Sequence, residues 1–242
     1  MEILGVIIGL GIILFFMVVY KVYCSNRENI YERIAYATGC YITDNESIQN
    51  ELAGHGLDLF RKRDGQVKIG IEGKVEDGKI YLADLTLHVM IGDGGGAADA
   101  FSRSRYRNTG PSSVVVGMVS SCFVVSNYLT LPSAYICPET LFEKGIALLG
   151  GQDIDFDNDP AFSDRFTLQG PSEVNIRDYF KKDLRKQLCK IISDGVTVEF
   201  GDGAFAIYTT KPASFAMSQT LMKVAKDLYR FLKEYSPIYD ED

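Results

Sequence analysis

The most constraining stretch of this chain is Ile3–Tyr20, 18 residues without a charge, built from Ile, Leu, Val, Phe, Met and Gly and closed by Tyr. As a helix at ~1.5 Å per residue it reaches about 27 Å, close to the ~30 Å hydrocarbon thickness of a bilayer. The run predicts a membrane anchor, with its flank, over residues 1–26. A folded body then occupies 27–242, with a candidate internal boundary near 130–138. A cleaved signal peptide wants a basic start and a small-x-small site. Here only Glu2 precedes the run, and Val19-Tyr20-Lys21-Val22-Tyr23-Cys24 closes it. A buried helix of the body would need core on every side.

Lys21, Arg27 and Arg33 follow the run and no basic residue precedes it. The excess of positive charge on that flank predicts a single pass through the cell (inner) membrane with the C-terminal body in the cytoplasm. Tyr20 and Tyr23 suit the interfacial belt. Gly5 and Gly9 have the GxxxG spacing that lets two helices approach, which fits a homodimer; glycine is also common in membrane helices for other reasons.

The body has the means to build a core: 46% of the chain is hydrophobic, with 14 Phe and 14 Tyr. A net charge of −7 argues against nucleic-acid binding, which needs a basic face. Cys24, Cys40, Cys122, Cys137 and Cys189 are odd in number and form no CxxC, which fits a reducing compartment rather than a disulfide framework. With only His55 and His88 beside them, no zinc motif is assembled. His88, in an apolar strand without a partner motif, is expected to be a hydrogen-bonded structural histidine.

Ile30, Ile34 and Ala37 predict a helix from Asn26 to Thr38, with Arg27, Glu28, Glu32 and Arg33 on its polar side, stopped by Gly39. Thr43-Asp44-Asn45-Glu46 has capping-box spacing and opens a helix to Ala53, with Ile48 and Leu52 inward. A β-meander is expected over Leu57–Arg63, Gln66–Glu76 and Lys79–Ile91, turned by Asp64-Gly65 and Asp77-Gly78. The apolar phase changes near Ala83-Asp84, which predicts a bulge. A strand over 113–125, a helix over 139–149 begun by Pro138, a strand over 165–168 and a helix over 172–193 follow. The 172–193 helix would carry Val174, Phe180, Leu184, Leu188 and Ile191 on one stripe. A hairpin about Gly201-Asp202-Gly203 and a helix over 212–235 end the fold. The order predicts an α+β body: an antiparallel meander and hairpins packed by helices.

Two stretches stand out as candidate sites. The 92–112 connection carries Phe101, Arg103, Arg105, Tyr106 and Arg107, basic and aromatic against an acidic background. It reads either as a docking tip for lipid headgroups or a protein partner, or as a solvated loop. Asp153, Asp155, Asp157 and Asp159 recur at period two and invite a calcium reading. Asn158, Ile154 and Phe156 depart from the EF-hand pattern, and loop hydrogen bonding is the plainer use of these aspartates.

Leu131-Pro132, Pro138-Glu139, Gly151-Gln152-Asp153-Ile154-Asp155-Phe156, Pro160-Ala161-Phe162-Ser163, Phe166-Thr167-Leu168-Gln169-Gly170, Val174 and Tyr179-Phe180 resemble a family of uncharacterised bacterial membrane-anchored proteins. The resemblance runs weakly from about Tyr31 to Tyr235. It implies an envelope protein with a mixed α and β body and carries over no activity. No nucleophile elbow, HExxH, Cys–His pair or phosphate loop is present. Enzymes assembled from dispersed residues escape such motifs. The sequence therefore leaves three readings: a membrane-tethered interaction or scaffold domain, a calcium-responsive module, and a membrane-associated enzyme.

Overall fold

The computed structural model of the chain describes residues 2–61, 63–91, 112–139, 153–192 and 195–235, with the backbone alone over 2–10, 89–91 and 112–116. Helix α1 (Glu2–Thr38) is unbroken, and Gly39 ends it at φ +70°, the left-handed conformation glycine adopts cheaply. Its buried residues are Arg27, Tyr31, Ile34 and Ala35, whereas Ala37 is exposed. The inward stripe is therefore rotated from the expected one and includes an arginine.

Helix α2 (Asn45–Ala53) is capped by Asp44, whose carboxylate accepts the Ser47 N–H, and it buries Ile48 and Leu52. The expected strand over 57–63 is instead the short helix α3 (Asp58–Arg61). The reason is tertiary: the Glu199 carboxylate accepts the N–H groups of Asp58 and Leu59, donors that a helix start otherwise leaves unsatisfied.

The strands are β1 (Tyr41–Ile42), β2 (Gln66–Val75), β3 (Gly78–Ile91), β4 (Ser112–Val125), β5 (Ala134–Pro138), β6 (Phe166–Gln169), β7 (Val196–Gly201) and β8 (Ala204–Thr209). Among the described residues they form one sheet in the order β1-β2-β3-β4-β8-β7-β5-β6, antiparallel at each pairing. Segments from both sides of 130–138 thus share a sheet. The later helices are α4 (Pro160–Ser163), α5 (Glu173–Tyr179), α6 (Lys182–Ile191) and α7 (Phe215–Tyr235). The class is α+β, as the order of elements predicts.

Both sheet faces are covered. Ile71, Ile80, Leu82, Cys122, Val124 and Ile207 share one core with α1, α6 and α7. Tyr81, Ala83, Leu85, Val119 and Phe123 share the other with Ile48, Leu52, Leu57 and Leu59. A sheet covered on both faces is apolar in both phases, and this removes the bulge expected near Ala83-Asp84. Strand β3 keeps its alternation there. The irregularity lies in β2, where Val67 pairs Leu85 and Ile69 pairs Asp84, leaving Lys68 over.

Other boundaries move for local reasons. Val75 pairs Gly78, so the turn is Glu76-Asp77, with Glu76 at φ +29°. Pro138 ends β5 opposite Phe166, and the expected 139–149 helix lies almost wholly outside the described residues. The expected 172–193 helix breaks between α5 and α6. There Phe180 sinks into the core and its carbonyl accepts Arg185 Nη1 at 2.7 Å. Val174 is exposed, and Ile176 occupies the core instead.

Gly78 is required for space rather than for its φ. A Cβ there would stand 2.5 Å from the Val125 carbonyl oxygen and 2.9 Å from Ser126 Cβ. Gly78→Ala is expected to cost on the order of 1–3 kcal/mol by overpacking, read as a lowered thermal midpoint by circular dichroism in detergent.

Candidate functional sites

The first site is the junction where α1 meets the body. Arg27 donates from Nε to Asp84 Oδ2 at 2.7 Å and from Nη2 to Asp84 Oδ1 at 2.9 Å, a bidentate pair. Its Nη1 donates to the Ala213 carbonyl at 2.6 Å. Tyr31 donates to Asp84 Oδ1 at 2.9 Å, and Ser120 donates to the same oxygen. The Ala213 N–H closes the network on Ser120 Oγ at 2.7 Å. Asp84 is 1% exposed and Arg27 7%. Burial opposes the Arg27 charge, but Asp84 outweighs it and the arginine pKa ends above its ordinary value. Burial first and Asp84 next raise the Tyr31 hydroxyl well above the usual tyrosine value. Such a pair costs desolvation and is held by geometry, so removing one partner strands the other.

From this junction α1 leaves the body. Ile12–Tyr20 and Val22 stand between 48% and 69% exposed, an apolar surface, unbroken from Ile12 to Val19, of a kind soluble folds avoid. Among the described residues no helix is long and apolar enough to cross a membrane; the side chains of 2–10 lie outside them. Gly5 and Gly9 are within α1, but their surroundings are not described. Phe101, Arg103, Arg105, Tyr106 and Arg107 lie outside the described residues.

The four aspartates diverge. Ile154 and Phe156 are buried in the core, so Asp155 between them points outward. Asp153 Oδ1 accepts the Leu168 N–H at 3.0 Å, and burial raises its pKa. Asp155 and Asp157 are exposed. Asp159 pairs with Arg185 at 2.9 Å. Arg177 and Arg185 lie over the Phe156 ring, at 5.3 and 3.9 Å from its centroid, and the Phe156 N–H donates to Ser163 Oγ at 2.9 Å. The Asp-Ile-Asp-Phe and Pro-x-Phe-Ser elements are thus stitched together as one structural unit. Among the described residues no group of three or more His, Cys, Asp or Glu is placed to hold a metal ion. His88 Nδ1 lies 3.2 Å from the Asp64 carbonyl oxygen, a structural contact.

The second site is buried and escaped the sequence. Tyr135, Glu199 and Tyr208 line one face of β5, β7 and β8 beside Arg63, all under 9% exposed. Glu199 Oε1 holds the start of α3, but among the described residues its Oε2 and the Tyr135, Tyr208 and Ser121 hydroxyls have no hydrogen-bond partner. Burial, then repulsion from Asp58, pushes the Glu199 carboxyl up to about 7 against the opposing pull of the Asp58 N–H and Arg63. A lone acid in a strand reading Val-Thr-Val-Glu-Phe was the available signal.

No family model matches the chain, and neither a curated protein nor a solved structure is significantly similar to it.

Two outcomes test these sites. Asp84→Ala leaves Arg27 buried and unpaired and is expected to cost about 3–5 kcal/mol, whereas Arg27→Met combined with Asp84→Leu recovers part of that loss; thermal unfolding in detergent measures both. Glu199 has a folded pKa above its ordinary 4.5, so the folded state keeps a proton that the unfolded state releases. Stability contributed by this group therefore falls as pH rises from about 4.5 to about 7 and is level below that window. Urea midpoints measured at about pH 5 and about pH 8 should differ less in Glu199→Gln than in the native chain.

Proposed function

We propose that this chain is a membrane-tethered interaction domain. Ile3–Tyr20 of α1 spans the cell (inner) membrane once, and the α+β body stands on the cytoplasmic side, where it presents its surface to a protein partner. One observation carries the reading: a single helix has its C-terminal part locked in the core through Arg27, Tyr31 and Ile34, while Ile12–Tyr20 and Val22 project beyond the two cores with their side chains uncovered. Burial of such a stripe in lipid is worth ~25 cal/mol per Å² of apolar surface, and no described element of the body covers it. The positions of Lys21, Arg27 and Arg33 support the cytoplasmic side. The unbroken helix makes the tether stiff, so the body keeps one inclination to the bilayer rather than swinging on a linker.

Carbonate extraction and protease access test this reading together. The full-length chain is expected to stay in the membrane pellet, with its C-terminal part protected from protease added to intact cells. Deleting residues 3–20 is expected to move it to the supernatant. Recovery of the intact full-length chain in the carbonate supernatant, or shaving of the body from outside, contradicts the proposal.

A further inference from the structure

Strands β3 and β4 extend beyond the rest of the sheet, and they do so on the side from which α1 leaves. Three contacts fix the direction. Cys40, after the C-terminal end of α1, lies against Gly73, which pairs Ile80 of β3. Arg27 and Tyr31 bond Asp84. Tyr23 Oη meets Met118 Sδ at 3.5 Å, and Met118 pairs Thr86. Going back along α1 toward its apolar end therefore goes forward along β3.

Past Thr86 the two strands keep pairing, from Leu87–Gly117 to Ile91–Ser112. Five more residues at ~3.3 Å each carry the ribbon about 16 Å beyond the level of Tyr23. Over this length it loses its neighbours. The pairing of β2 with β3 ends at Gln66–Thr86, and the Arg63 carbonyl takes the His88 N–H at 2.8 Å as the last edge bond among the described residues. On the other side β8 pairs β4 only from Ser121 onward. The sequence of the ribbon is His88-Val89-Met90-Ile91 opposite Ser112-Ser113-Val114-Val115, without Asp, Glu, Lys or Arg and rich in apolar residues.

We propose that this two-stranded end of β3–β4 rests in the headgroup layer of the bilayer that receives α1. The inference depends on the membrane reading of α1 and adds a second point of contact to it. Among the described residues the ribbon's backbone edges are open, and hydrocarbon does not tolerate open edges, so the ribbon lies along the headgroup layer and α1 leans to let it do so, within the ordinary range of helix tilt. Helix and ribbon together fix both the height and the rotation of the body at the membrane. The β7–β8 turn, near Val125 and Ser126 at the opposite end of the sheet, then faces the aqueous phase.

Fluorophore labelling of the full-length protein in phosphatidylcholine–phosphatidylglycerol vesicles tests this. The half-buried native thiols are first removed (Cys24→Ser, Cys40→Ser, Cys189→Ser). An environment-sensitive dye is then placed at Phe15→Cys, Met90→Cys or Asp202→Cys, with Val114→Cys on the facing strand as a second ribbon position should Met90→Cys fail to fold. Quenching by a headgroup-labelled lipid is compared with quenching by aqueous iodide. The expected result is lipid quenching at position 15, iodide quenching at 202, and headgroup quenching at 90 or 114 at least about twofold above that at 202. If position 15 is in lipid while 90 and 114 behave like 202, the ribbon proposal is overturned and the tether stands. If position 15 is itself open to iodide, both fall.

Discussion

Arg27 and Asp84 hold this architecture together. One lies on the helix that leaves the body and the other in the middle of the sheet, and their bidentate pair is sealed by Tyr31, Ser120 and the Ala213 backbone. A buried ion pair is a poor source of net stability but a strict source of geometry, because few other arrangements satisfy both charges out of water. The network joins α1, β3, β4 and the segment before α7. The helix therefore meets the sheet in one register, and the stiffness proposed for the tether originates here.

The same economy explains the 153–159 segment. Asp153, Asp155, Asp157 and Asp159 look like a ligand set because they alternate with Ile154, Asn158 and Phe156. The alternation follows from Ile154 and Phe156 entering the core. Asp159 then serves Arg185, which also covers Phe156 and donates to the Phe180 carbonyl. Buried arginines with fixed partners thus recur in the body, Arg27 and Arg185 among them.

What the sequence made legible was local and periodic. The α+β class, α2 with Ile48 and Leu52, the β7–β8 hairpin and the inward side of α7 at Met222, Ala225, Leu228 and Leu232 follow from spacing alone. The failures were tertiary. Residues 57–63 carry an acceptable strand pattern, but a glutamate about 140 positions away caps them as a helix. The 172–193 pattern is helical throughout, yet burying Phe180 forces a break. The charge of Arg27 places it on the polar side of the helix pattern, against its i, i+4, i+7 relation with Tyr31 and Ile34, because its partner lies 57 residues on. Asp84, alone among apolar strand neighbours, was the one hint of it. The Glu199 cluster likewise needs the register of β5, β7 and β8, which no single strand reveals.

The central claim is that α1 is one stiff helix from its apolar end into the core. Amide hydrogen exchange on the full-length protein in vesicles measures this at Lys21–Asn26, between the exposed stripe and the Arg27–Asp84 lock. The account predicts slow exchange there, continuous with the slow exchange on both sides. Fast exchange confined to Lys21–Asn26 would reveal a flexible linker and contradict it.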